Sequence, residues 1–261
     1  MRVRIRFSKF GCARFLGHLD LMRYFQKAFR RAKLPLAFSE GYHPHPILSF
    51  AQPLSLSYTS DGEYFDMELT MVVPVSEIFE RLQAAMCDEV RLNKVSALPD
   101  YVPQTKKVTG MSLITGAMYA ISLENMPEDI EACLRRFMEL KEYTVVKTTK
   151  NGTKDCNLRE GVYDLYLYDN GNETTIYESG SFDYSKEERA QALTNANLYH
   201  GRAILVTLDA GSERNISADM FLKGILSYGE YGELSCKKAV HRMDLFGNYE
   251  ERKVPLWKIE L

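Results

Sequence analysis

Val3-Arg4-Ile5-Arg6-Phe7 alternates apolar and charged residues with a period of two, the spacing of a strand with Val3, Ile5 and Phe7 on one face. Gly11 breaks the pattern. Between residue 17 and about residue 33 the period lengthens. His18, Met22, Phe25 and Phe29 follow the i, i+4, i+7, i+11 stripe of an amphipathic helix, and Arg23, Lys27, Arg30 and Arg31 gather on another face. Pro35 closes that helix, because the ring denies the backbone an amide donor. A short strand is expected at 36–38, and Gly41 to Pro46, with two prolines and a glycine, must be a loop. Extended patterning resumes over 47–58, and Asp61-Gly62 reads as the turn before a clear alternation over 63–69. A second helix is predicted over 75–86, with Ile78, Phe79 and Leu82 inward, and a fourth strand over 90–95.

The order β-α-β-β-α-β predicts a ferredoxin-like module over residues 1–98, a four-stranded antiparallel sheet covered on one face by two helices. Leu98-Pro99-Asp100-Tyr101-Val102-Pro103 reads as a linker, which we extend over 99–110. Residues 111–261 form a second α+β unit that reuses the plan less cleanly. Strands are expected at 117–123, 143–149, 161–168, 173–178 and 204–209, and helices at 127–140, 186–194 and 217–226. A closing edge strand is expected at 254–259.

Charge changes this picture. The 261 residues carry a formal net charge of −2. Residues 1–40, however, hold ten Lys or Arg against Asp20 and Glu40, a net of +8. A localised positive field attracts polyanions and speeds their encounter. It serves equally to pair with the acidic remainder of the chain or with an acidic partner. A sheet face bearing Arg2, Arg4 and Arg6 is expected to be exposed and electropositive. Aromatic residues (Phe7, Phe10, Phe15, Tyr24, Phe38, Tyr42 and Phe50) interleave with these groups, either as core residues or, as in ferredoxin-like sheets that bind single-stranded RNA, as exposed rings for stacking. No run approaches the roughly 18 apolar residues of a membrane span, and the N-terminus lacks the apolar core of a signal peptide, so a cytoplasmic, membrane-free protein is expected.

The candidate chemistry clusters at the N-terminus. Three of the five histidines, His18, His43 and His45, fall within residues 14–46. On a regular helix His18 and Asp20 point about 200° apart, so they meet only at a helix start. His18 reads as an acid, a base or a ligand, or as a histidine packed at the sheet–helix junction, with Asp20 pairing Arg23. His43-Pro44-His45 sends its side chains to opposite sides, which makes a joint metal grip awkward, and no metal or cofactor is expected. The five cysteines, Cys12, Cys87, Cys133, Cys156 and Cys236, have neither zinc nor iron–sulfur spacing. Hydrolase and nucleotide-binding motifs are absent from the sequence.

The strings Arg6-Phe7-Ser8-Lys9, Arg14-Phe15-Leu16-Gly17-His18-Leu19-Asp20-Leu21, Leu34 through Pro46 and Ser49-Phe50-Ala51 resemble the radical-SAM-associated family catalogued as DUF2344. The likeness is dense over residues 1–70. It is weaker beyond, where His241-Arg242-Met243-Asp244-Leu245-Phe246-Gly247 carries it. His18, Asp20, Ser39, Gly41 and His45 match residue by residue, whereas Gly17, His43 and Ile47 depart from the family's usual residues. The resemblance implies a partner more than a reaction, since such proteins accompany, or are fused to, a B12-binding-type radical SAM protein. The expectation is a non-catalytic accessory protein that positions RNA or another polyanion through Arg14, Arg23, Lys27 and His45, with His18, Asp20, Ser39 and Gly41 completing the surface. Two alternatives stand beside it: an RNA-processing or RNA-modifying enzyme using His18 and His45, with Asp20 as a third catalytic candidate, and a protein-interaction module that docks on the radical SAM partner.

Overall fold

The computed structural model describes residues 1–99, 108–123, 125–149, 152–198, 200–212, 214–232 and 238–259. The first half runs β1 (Arg2–Lys9), α1 (His18–Arg31), β2 (Leu48–Phe50), β3 (Thr59–Glu68), α2 (Val75–Ala84) and β4 (Val90–Leu98). β1 pairs antiparallel with β3 and β4, and β2 pairs antiparallel with β3, which gives the ferredoxin-like order β4-β1-β3-β2. Val3, Ile5 and Phe7 are fully buried and meet Phe25 and Phe29 of α1 and Ile78 and Leu82 of α2. Phe25 lies edge-on to Phe7 and to Phe65, each at 4.8 Å between centroids, the geometry aromatic quadrupoles favour.

The second half comprises α3 (Gly110–Leu113), β5 (Ile114–Leu123), α4 (Ile130–Glu139), β6 (Thr144–Thr149), β7 (Gly152–Asn157), β8 (Val162–Asp169), β9 (Asn172–Tyr177), α5 (Lys186–Asn195), β10 (Arg202–Asp209), α6 (Ala218–Tyr228), β11 (Lys238–Tyr249) and β12 (Arg252–Pro255). Set aside the β6–β7 hairpin and the β9–α5 excursion, and β5-α4-β8-β10-α6-β11 repeats the first plan. Its strands lie in the order β11-β5-β10-β8, all antiparallel. Leu134 and Phe137 of α4 and Phe221 and Ile225 of α6 pack on one face of this sheet. Ala192 and Leu193 of α5 pack with Met118, Ala120 and Leu205 on the other. The chain is thus α+β, with the same strand order built twice.

A parallel pairing of β11 with β3, His241 with Thr59 and Arg242 with Ser60, makes the two sheets continuous. Three expectations change here. Asp61-Gly62 is no turn: β3 runs through it, because β1 and β11 pair on either side. The closing edge strand of the tail is replaced by the long central β11, with only Arg252–Pro255 paired beyond it. The face bearing Arg2, Arg4 and Arg6 is not exposed; these side chains are buried or nearly so beneath segments from later in the chain. α1 ends at Arg31, four residues before Pro35, where Ala32 caps it and Lys33 takes a φ of 50°. Most of the expected linker, 100–107, lies outside the described residues. Its far end, Gly110, donates its amide to Asp66 Oδ2 at 2.8 Å. Among the described residues no helix is long and apolar enough to cross a membrane.

Candidate functional site

Gly17 takes an extended conformation as the N-cap of α1, so His18 opens the helix. The imidazole is half-buried, edge-on to Phe50 at 5.4 Å, at the junction of helix and sheet. Asp20 turns outward and meets Arg23 Nη1 at 3.3 Å, with both side chains mostly exposed. Such a pair contributes little, because water screens it. His18 and Asp20 are therefore not brought together as a catalytic couple.

The loop after α1 is stapled by its own polar groups. Ser39 donates its amide to the His45 carbonyl at 2.9 Å, and the His45 amide returns to Ser39 Oγ at 3.1 Å. The same hydroxyl lies 2.9 Å from His45 Nδ1. In the neutral ring this lets the hydroxyl donate to Nδ1 and leaves Nε2 to carry the proton. Gly41 has a φ of 112°, a conformation that side-chain-bearing residues rarely adopt, so its part in the surface is to shape the turn. Tyr42 next to it is fully exposed, and His43 and His45 are exposed as well.

Helical geometry places Leu19, Arg23, Lys27 and Arg30 on the arc opposite buried Leu21, Phe25, Ala28 and Phe29, and all four are exposed. Arg14 lies over the ring of Phe15 at 4.8 Å, and its carbonyl accepts the Ser57 amide at 3.0 Å. Phe15 is 59% exposed and Phe38 52%. Among the described residues no carboxylate lies within ion-pair distance of Arg14, Lys27 or Arg30, and no group of three or more His, Cys, Asp or Glu is placed to hold a metal ion. The positive charge that reaches solvent within residues 1–40 thus belongs to Arg14, α1 and Lys33, because Arg2, Arg4 and Lys9 are buried.

A second cluster escaped the sequence reading: the pairings that cross from β3 and β1 to β11. Arg242 is buried and forks onto Glu63, Nε to Oε1 at 2.8 Å and Nη2 to Oε2 at 2.5 Å, with Nη2 also donating to the Gln52 carbonyl at 2.9 Å. Asp244 accepts from Arg6 Nη2 at 2.8 Å, from the Leu245 amide and from the Tyr64 hydroxyl. Burial pushes the Asp244 carboxyl above the usual carboxylate range, against the pull of Arg6. Burial, reinforced by Asp244, raises the Tyr64 phenol. His241 Nδ1 lies 2.9 Å from Thr59 Oγ1, and its ring stacks on Phe10 at 5.8 Å. Lys9 is buried against the Leu16 carbonyl at 2.9 Å, and burial lowers its pKa while Glu63 opposes the shift. The available signal was the cluster His241, Arg242 and Asp244, whose polar side chains pair across the seam.

Fold and site define a mixed α+β protein with the ferredoxin-like strand order built twice, a basic outer face on its first helix and exposed aromatic rings in the segments before and after it. The family model of uncharacterised proteins conserved in bacteria, DUF2344, matches residues 2–217, and the chain belongs to that family. The match takes in the whole N-terminal surface and stops short of β11. No curated protein matches the chain.

Proposed function

We propose that this chain is a non-catalytic accessory protein of a radical SAM enzyme, and that its N-terminal surface positions a polyanionic substrate, RNA in the first instance. The observations that carry the reading are the exposed Arg14–Phe15 stack and the exposed Lys27 and Arg30 of α1, cations with no carboxylate beside them among the described residues, together with the exposed rings of Phe38 and Tyr42 in the segment that follows α1. Aromatic faces stack on unpaired bases whatever their sequence, and nearby cations neutralise phosphates. The radical SAM partner follows from the resemblance at residues 1–70. The cysteines also fit an accessory role, since their spacing offers no close triplet for a cluster. The separation of His18 from Asp20 favours recognition over turnover by that pair.

Fluorescence anisotropy of a labelled single-stranded RNA tests this reading. The Arg23→Glu, Lys27→Glu double variant should bind at least about tenfold more weakly at low salt than the parent, with unfolding unchanged. Equal binding by both proteins overturns the reading. No binding by the parent, together with co-purification of a radical SAM protein that the double variant loses, also overturns it and assigns the surface to protein docking.

A further inference from the structure

The sheet face turned away from α1 and α2 holds a second basic site. β1 and β4 place Arg4 opposite Ser96 and Arg6 opposite Lys94. Over this face lies the single turn Leu256–Lys258 that follows β12, and between them is a cavity of about 450 Å³. Four cationic side chains line it, Arg4, Arg6, Lys94 and Lys258, and among the described residues no acidic side chain does, Lys258 being paired with Glu188 at 2.9 Å to one side.

The ion pairs of these cations leave donors over. Arg4 gives Nε and Nη2 to Asp66, at 2.8 and 3.1 Å, and its buried Nη1 has no partner among the described residues. Arg6 gives Nη2 to Asp244, and its buried Nε has none. The indole Nε1 of Trp257, buried in the same wall, is also unpartnered. Arg6 lies 5.9 Å, Lys94 4.7 Å and Lys258 5.3 Å from the Trp257 ring centre, so one indole gathers three cations. Arg4 is 3% exposed. Buried N–H groups in native proteins are almost always satisfied, and an orphan costs about 1–3 kcal/mol. Three orphan donors on residues that share one cavity, all of them N–H groups and two of them on guanidinium ions, call for an acceptor oxygen. Guanidinium N–H groups fit oxyanions best.

We propose that this cavity binds a small molecule bearing a phosphate group, with Arg4 Nη1, Arg6 Nε and Trp257 Nε1 as donors and Lys94 supplying further charge. The volume lies within the range of about 300–1,000 Å³ typical of ligand pockets, enough for a phosphate and a modest organic body. The inference is independent of the function proposed for the α1 surface, which lies on the other side of this sheet.

Trp257 is the chain's only tryptophan, so its emission reports the site directly. Titration of the full chain with inorganic phosphate at constant ionic strength should give a saturable change in that emission and a rise in Tm. Lys94→Met, at an exposed position that no buried carboxylate depends on, should raise the apparent Kd at least tenfold, and Arg6→Lys, which keeps a charge for Asp244 but loses Nε, should do the same. Arg23→Glu, Lys27→Glu should leave it unchanged. A response that chloride reproduces, saturation by acetate but not by phosphate, or a Kd unaltered in Lys94→Met would overturn the proposal.

Discussion

Replacing Arg242 by Met lowers the unfolding free energy by about 3–5 kcal/mol, measured by urea denaturation, although no charged group is added and the volume changes little. The loss comes from the partner. Glu63 is 4% exposed, and its two carboxylate oxygens are met by the Arg242 fork. Without that fork a carboxylate remains in the interior, where it must stay unpaired or take up a proton. Adding Glu63→Leu to the Met variant should recover most of the loss, because an apolar pair replaces a buried ion pair at small cost. A single variant that costs less than about 1 kcal/mol would mean that the pair is solvated and that the seam does not depend on it.

The second large effect belongs to Gly62. A methyl group built there would lie 2.5 Å from the Asp244 Cα and 2.9 Å from its Cγ, closer than real contacts come. The obstacle is backbone, so no rotamer relieves it. Gly62→Ala must part β3 from β11, strain the Tyr64 and Arg6 bonds to Asp244, and weaken the Ser60 hydroxyl's bond to the Arg242 carbonyl at 2.9 Å. Overpacking of this kind costs about 1–3 kcal/mol, and the added loss of polar contacts places Gly62→Ala at the upper end. Hydrogen exchange should speed first at β11 amides. Uniform acceleration across both sheets, or none, would show that the seam is not the element disturbed.

These two residues also explain what could be read from the chain. The first β-α-β-β-α-β unit was legible because Val3, Ile5 and Phe7 alternate strictly and α1 carries its apolar stripe, both buried against local partners. Asp-Gly is a strong turn signal, and Asp61-Gly62 was misread because the glycine serves a neighbour 182 positions away rather than a local reversal. β11 was missed for the same reason: His241, Arg242 and Asp244 look solvent-facing until Thr59, Glu63 and Arg6 are known to lie beside them. The arginines of β1 read as an exposed face because what covers them comes from later in the chain, the turn around Trp257 for Arg4 and Arg6 and the Pro99 and Val108 carbonyls for Arg2. Within the candidate site, the helical offset of His18 and Asp20 was computable from the sequence. The Ser39–His45 staple was not, since it depends on the path of a proline-bounded loop.

The most direct measurement for the recognition surface is the affinity for single-stranded RNA between 50 and 200 mM salt. With Arg14, Arg23, Lys27 and Arg30 each neutralising one phosphate, log K should fall against log salt with a slope of about −3, roughly a fiftyfold loss over that range. The slope should flatten in the Arg23→Glu, Lys27→Glu variant. Binding by the parent with no salt dependence, or a slope that the variant leaves unchanged, would contradict a polyanion-positioning role for α1 and its loop.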